Sequence, residues 1–157
     1  DLVILKDVIE HIPGQRDFIS HLPSFLHEGG VVFFAFPPWQ MPYGGHQQVC
    51  RKKWLSKLPY FHLLPSFMYK GILKLAGEPQ LTIEDLMEVK STGISIERFE
   101  KYLRLSRLKI VARRLYLFNP IYSYKFNVKP RLQSGWIAHL PVIRNFLTTG
   151  VYYIVKA

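Results

Sequence analysis

The stretch Asp1-Leu2-Val3-Ile4-Leu5-Lys6-Asp7-Val8-Ile9-Glu10-His11-Ile12 decides how the rest of the chain is interpreted. Its first part, Leu2–Leu5, is an unbroken apolar run that ends at a charged pair. This pattern is typical of a parallel strand covered on both faces. Because this central type of strand comes first, we expect the chain to be the second half of an α/β domain.

The residues that follow complete a strand–helix–strand unit. Pro13-Gly14 breaks the chain, and apolar residues at helical spacing predict a helix over about 16–27, kinked at Pro23. Gly29-Gly30 ends this helix, and a second apolar strand, Val31–Phe36, stops at two prolines. Short links between two parallel strands predict a right-handed βαβ unit.

The middle of the chain, residues 39–93, has a different composition. An aromatic loop that contains Gly44-Gly45 leads into segments rich in Trp, Tyr, Phe and Lys, and these predict helices near 49–58, 65–75 and 82–89. We interpret residues 39–93 as a helical lid inserted into a single domain, 1–157.

Regular structure returns after residue 93. Ser95 is placed to cap a helix over about 96–105, and a long strand, 108–118, follows. After an irregular stretch, 119–134, a short helix near 141–147 precedes a closing strand at 151–155. The fold class is therefore α/β.

Composition limits the kind of protein. The 157 residues are 48% hydrophobic and carry a net charge of +10, which indicates a folded domain that favours acidic partners. The single cysteine, Cys50, fits a reducing compartment, and we expect a cytoplasmic location, with peripheral membrane contact as an option. No apolar run reaches the roughly 18–20 residues that span a bilayer.

Two segments together resemble class I S-adenosylmethionine-dependent methyltransferases. Asp1–Ile12 is similar to the fourth strand and following turn of that family, including its quinone-biosynthesis O-methyltransferases and its type 11 and type 12 members. Leu26–Pro37 is similar to the family's Leu-x-x-Gly-Gly helix end and fifth strand. The resemblance leaves out 39–93 and 119–134. It implies the C-terminal half of a Rossmann-like mixed sheet, with parallel strands and an antiparallel last strand.

The resemblance also implies what is missing. The family's Gly-rich loop and the acidic residue that holds the cofactor ribose are expected upstream of Asp1. Gly44-Gly45 does not replace them, because it does not lie between a first strand and a helix N-terminus. We therefore expect this chain alone to bind S-adenosylmethionine poorly and to be inactive.

Candidate site residues follow from the resemblance. Lys6, Asp7 and Val8 would border the methionine end of S-adenosylmethionine, at the carboxyl end of their strand. His11 or His46, with Glu10, would act in catalysis, because an imidazole titrates near neutral pH and accepts a proton from the acceptor. The residues that would shape the acceptor pocket are Phe36, Pro37, Trp39 and Tyr43.

Other interpretations of the same residues stay open. Asp7, Glu10 and His11 resemble a segment that implies a divalent cation in the quinone-biosynthesis enzymes, and carboxylates with imidazole suit such an ion. Asp7, Glu10 and His11 equally suit roles in capping turns and helix ends. The aromatic residues equally suit the core of the lid.

The basic lid segment, 51–77, carries a second hypothesis about function. Its alternation of lysines with aromatic residues is typical of a helix at an anionic membrane surface. Stacking with phosphate contacts would serve nucleic acid, which we consider the weaker partner, and a lid packed on the sheet is the structural alternative. The function predicted is methyl transfer to a small-molecule or lipid-like acceptor. The alternative is a non-catalytic basic module that binds anionic membrane or nucleic acid.

Overall fold

Apolar runs separated by Gly and Pro fold into five strands and eight helices in the computed structural model, which describes residues 1–157. The strands are β1 (Leu2–Lys6), β2 (Val31–Phe36), β3 (Lys109–Phe118), β4 (Arg131–Leu132) and β5 (Gly150–Lys156). The helices are α1 (Gln15–His21), α2 (Lys53–Ser56), α3 (Ser66–Leu75), α4 (Gln80–Thr92), α5 (Ile96–Leu105), α6 (Ile121–Phe126), α7 (Gly135–Ala138) and α8 (Ile143–Phe146).

The strands form one mixed sheet in the order β1-β2-β5-β3-β4. β1 and β2 are parallel, with Ile4 opposite Phe33, and β5 runs antiparallel to both β2 and β3. The predicted α/β class and the predicted antiparallel last strand are confirmed. β5 lies between β2 and β3, so it joins the strands of the first half of the chain to those of the second half.

The prediction that β1 is covered on both faces is wrong. Val3 and Leu5 pack against the main core, whereas Leu2 and Ile4 are 59% and 60% exposed. The reason is that α1 and α5, which contact each other, contribute to the core on one face only. An apolar run cannot reveal this difference, because both faces of the strand are apolar in sequence.

The core is centred on Phe99 of α5. Its ring lies 4.9 Å from Phe34, 4.8 Å from Phe36 and 4.9 Å from Tyr153, measured between ring centroids. Aromatic pairs in such edge-to-face and tilted arrangements stabilise packing beyond the area they bury. Phe99 therefore attaches α5 to β2 and β5 at once.

Next to this ring, Glu100 collects three hydrogen bonds. It accepts from the Tyr153 hydroxyl at 2.8 Å, from Arg113 at 2.9 Å and from Arg144 at 3.0 Å. Burial would raise the pKa of Glu100, but the bonds from Tyr153 and Arg113 outweigh it and hold this pKa below its usual value. Arg144 also donates to Glu97 at 2.9 Å, so α8 and β3 are both anchored to α5.

Helix boundaries depart from the sequence pattern where proline intervenes. The helix predicted over 16–27 ends at His21 and continues as a tight turn, Leu22–Phe25, that contains Pro23. Proline has no amide hydrogen, so it interrupts the α-helical bonding rather than only bending it. The stretch 119–134 also holds more regular structure than predicted, namely α6 and β4.

The helices between β2 and α5 have a core of their own. Its buried residues are Cys50, Leu55, Phe61, Tyr69, Leu73, Ile83 and Leu86. The end of α4 is tied to α1 and to the turn after β1, since the Gln15 side chain donates both to the Thr92 and to the Ile9 carbonyl oxygens, at 2.5 and 2.9 Å. Of all eight helices, none combines the length and the apolar character needed to cross a bilayer.

The free edge of β1 generates a prediction. β1 has β2 as its one strand neighbour, and its exposed Leu2 and Ile4 lie beside that unpaired edge. Apolar edge strands pair with other chains. We expect residues 1–157 to self-associate, and Ile4→Lys to lower the mean mass in light scattering coupled to size-exclusion chromatography.

Leu105→Lys is the matched control, because Leu105 is 54% exposed at the end of α5, away from this edge. It should leave the mass unchanged. A chain that stays monomeric over the whole concentration series would contradict the prediction.

Candidate functional site

The candidate site begins where β1 and β2 end. Lys6 is paired with Ala35, and the Asp7 amide extends the pairing by donating to the Ala35 carbonyl at 2.7 Å. Asp7 then takes a left-handed conformation, φ 53°, which turns the chain away from the sheet. Its carboxylate lies 2.5 Å from the Lys6 ammonium, and both side chains are about half exposed.

A shallow depression opens beside this charged pair. The residues that line it are Lys6, Asp7, Ala35, Phe36, Asn119, Ile121 and Tyr152. The carboxyl ends of parallel strands are where open α/β sheets bind ligands. The depression lies at the edge of the sheet where the sequence predicts a ligand site.

Three titratable side chains come together next to Asp7. Glu10 and His11 belong to the short turn Ile9–His11, and His46 comes from the loop after β2. Their potential ligand atoms all lie within 4.8 Å of one another, and the two imidazole rings are 5.0 Å apart at an interplanar angle of 63°. Glu10 is buried, His46 half-buried and His11 exposed.

Glu10 is the unusual member of this cluster. Its side chain is 4% exposed, and neither carboxylate oxygen has a hydrogen-bond partner. Burial raises its pKa to about 7, because a charge without partners is costly away from water. Buried polar atoms are nearly always hydrogen-bonded, so the carboxyl of Glu10 is the member of the cluster that lacks its usual partners.

His46 has the opposite shift. Burial lowers its pKa, the charge on nearby His11 lowers it further, and Asp7 opposes both effects. The imidazole of His46 is therefore neutral at neutral pH and can accept a proton. The pKa of Glu10 is raised and that of His46 is lowered, so both shifts favour the uncharged form of the side chain.

Close packing of the loop explains how His46 reaches this position. A Cβ on Gly44 would collide with the Trp39 carbonyl oxygen, and a Cβ on Gly45 would collide with the His62 side chain. His46 itself has φ 54°, a left-handed conformation. Close contacts therefore require glycine at both positions, and the resulting loop places His46 beside His11.

Trp39 connects this loop to the rest of the lid. His62 donates from Nε2 to the Trp39 carbonyl at 2.7 Å, and its ring stands edge-on to the indole at 4.6 Å. The Lys90 ammonium lies 5.5 Å from the indole centroid and donates to the His62 carbonyl at 2.6 Å. Burial lowers the pKa of His62 to about 4, so His62 is a neutral packing residue at neutral pH.

The predicted acceptor-pocket residues are spread over different environments. The Phe36 ring is 1% exposed and packs in the core, and Pro37 after it is half-buried. Tyr43 is 43% exposed, with its hydroxyl donating to the Lys57 carbonyl at 3.4 Å. The structure therefore brings together Lys6, Asp7, Glu10, His11 and His46, with Val8 half-buried between them, but it does not gather the aromatic set.

Residues from the C-terminal half complete the same edge, and the sequence did not single them out. Tyr152 donates to the Asn119 side chain at 3.3 Å, and both line the depression beside Asp7. The predicted antiparallel pairing of the last two strands could have pointed to these residues. An antiparallel last strand starts at the edge where the parallel strands end, so the first residues of β5 must lie near the site.

The comparisons with known proteins are negative. Neither a scan of known protein families nor a search of curated proteins finds a match to this chain. Any function must therefore be argued from the residues and their geometry.

Glu10 generates a prediction on stability. Its pKa is higher in the folded chain than its ordinary value, so the fold is favoured while this carboxyl is protonated, and stability falls as the pH rises toward about 7. Between about pH 5 and about pH 8 this amounts to about 3 kcal/mol at most. We expect Glu10→Gln to remove most of that loss, measured by urea unfolding with a chelator present.

Glu28→Gln is the control, because Glu28 is exposed and should not change the pH dependence. A Glu10→Gln variant that loses as much stability as the parent chain over this range would show that Glu10 does not titrate as described.

Proposed function

We propose that the chain is part of an S-adenosylmethionine-dependent methyltransferase that acts on a small-molecule or lipid-like acceptor. The observation that carries this proposal is the position of one titratable cluster, Glu10, His11 and His46, at the carboxyl ends of β1 and β2. The mixed sheet, with its antiparallel β3–β5 pair, has the form that the sequence resemblance implies.

The charged pair at the end of β1 fits the cofactor side of such a site. S-adenosylmethionine supplies an electrophilic methyl group on a sulfonium cation. The half-exposed Asp7 carboxylate suits a cationic ligand, and the Tyr152 ring in the same depression suits it as well. Lys6 and Val8 flank Asp7, which has the left-handed conformation.

The neighbouring cluster fits the acceptor side. In an in-line displacement the acceptor atom bonds to the methyl carbon as the carbon–sulfur bond breaks, and the acceptor loses one proton. The neutral His46 receives that proton, and exposed His11 stands 5.0 Å away as a second base. Positioning of the acceptor is the main requirement for this chemistry.

Cofactor titration tests this proposal. S-adenosylmethionine is titrated by calorimetry into residues 1–157 and into the longest product of the gene. We expect saturable binding to the longer product and weak or no binding to residues 1–157, in line with the resemblance. Asp7→Asn in the longer product should weaken binding about tenfold, the typical effect of losing one charge-assisted contact.

Asp17→Asn is the matched control, since Asp17 is an exposed carboxylate in α1. Equal binding by both variants would remove Asp7 from the site. Absence of any binding by the longer product would contradict the methyltransferase proposal as a whole.

We propose as an alternative that the Glu10–His11–His46 cluster binds a divalent cation, in which case His46 is a ligand and does not receive the proton. One carboxylate and two imidazoles are a donor set that suits borderline first-row ions, and the orphaned Glu10 oxygens supply the observation that fits such a group. Bound there, a cation would neutralise Glu10 and polarise an acceptor oxygen.

Cobalt(II) titration followed by visible absorption tests the cation site. We expect one equivalent to bind, and His46→Ala to lower the affinity by on the order of a hundredfold, because one of three ligands is lost. His139→Ala removes an exposed imidazole elsewhere and should have no effect. Equal binding by both variants would place the cobalt outside this cluster.

A further inference from the structure

Helix α3 has an apolar face on both sides. Its inner side, with Tyr69 and Leu73, is fully buried in the lid core. Its outer side exposes Phe67 at 78%, Met68 at 42% and Leu75 at 90%. Exposed apolar patches rimmed by polar residues mark interaction sites, so the outer face of α3 is a candidate docking surface.

The charges around this face are of one sign. Lys70 and Lys74 lie one turn apart on the exposed part of α3. The wider segment 51–77 contains Arg51, Lys52, Lys53, Lys57, Lys70 and Lys74, and no acidic residue. All five lysines and the arginine are exposed, so the segment presents its full positive charge to solvent.

The pattern of side chains selects among anionic partners. Met68 and Leu75 are aliphatic, and Phe67 is the single aromatic ring on the outer face of α3. Stacking on bases needs a series of planar rings, whereas insertion among acyl chains needs apolar side chains of any shape. Lysine stems beside apolar residues can extend their ammonium groups to lipid phosphates and carboxylates.

We propose that the outer face of α3 docks on an anionic lipid bilayer. Phe67, Met68 and Leu75 enter the boundary between headgroups and acyl chains, and Lys70 and Lys74 contact the headgroups. In this arrangement the axis of α3 lies along the bilayer surface. This inference is independent of methyl transfer, because it uses neither the cofactor nor the Glu10 cluster.

Vesicle co-sedimentation tests the proposal. The chain is mixed with vesicles of phosphatidylcholine alone and of phosphatidylcholine with phosphatidylserine. We expect binding to the anionic vesicles that weakens as salt is added, and little binding to the neutral ones. Lys70→Glu with Lys74→Glu should lower the partition coefficient by about thirtyfold, from the usual contribution of each basic residue near such a surface.

Phe67→Ser with Leu75→Ser tests the apolar part, and we expect a loss on the order of tenfold. The matched controls are Phe25→Ser, at a residue 71% exposed outside the lid, and Lys101→Glu with Lys109→Glu, at exposed lysines in α5 and β3. Circular dichroism confirms that each variant is folded.

The outcomes separate the possible partners. Losses confined to the two α3 variants support docking through this face. Equal losses in the control variants show attraction by net charge alone and overturn the proposal. Tight, salt-sensitive binding to single-stranded RNA without binding to anionic vesicles also overturns it, in favour of nucleic acid.

Discussion

The structure depends on the contact between the Phe99 ring and three other rings, those of Phe34, Phe36 and Tyr153. This contact sets the distance of α5 from β2 and β5, and the adjacent Glu100 then fixes β3 and α8 through hydrogen bonds. Because buried ion pairs stabilise only when their remaining atoms are also bonded, the three donors on Glu100 are what make this carboxylate tolerable inside the fold. The edge of the sheet that carries the candidate site is positioned by these contacts.

The site itself is assembled from two turns that the sheet brings side by side. One is the left-handed turn at Asp7, and the other is the tight loop in which Gly44 and Gly45 approach Trp39 and His62. The first turn leads into Glu10, and the second places His46, which follows Gly45. Neither turn alone holds more than part of the cluster, so the chemistry depends on the parallel register of β1 and β2.

Sequence patterns predicted the elements better than their surroundings. The strands β1, β2 and β5 were predicted because Gly, Pro or charged residues flank their apolar runs. The Ser95 cap of α5 was predicted because serine is a preferred N-cap residue, and its side chain does accept from the Arg98 amide. The exposed face of β1 and the burial of Glu10 were not found. Both are set by which helix packs where, and a single sequence carries no local signal for that.

Two departures from ordinary packing underlie the proposals made for this chain. Of the two buried acidic side chains, Glu78 accepts two backbone amides, whereas Glu10 has no partner. The partly buried Glu97 and Glu100 are both hydrogen-bonded. Helix α3, in turn, leaves Phe67, Met68 and Leu75 exposed beside basic residues. Local rules fail in real proteins mainly where function requires it. The two failures lie on separate elements and are of different chemistry, one a carboxyl without donors and the other an apolar surface without cover. The two proposals rest on them separately, a small ligand or ion at the sheet edge on the first and an extended surface at the lid on the second.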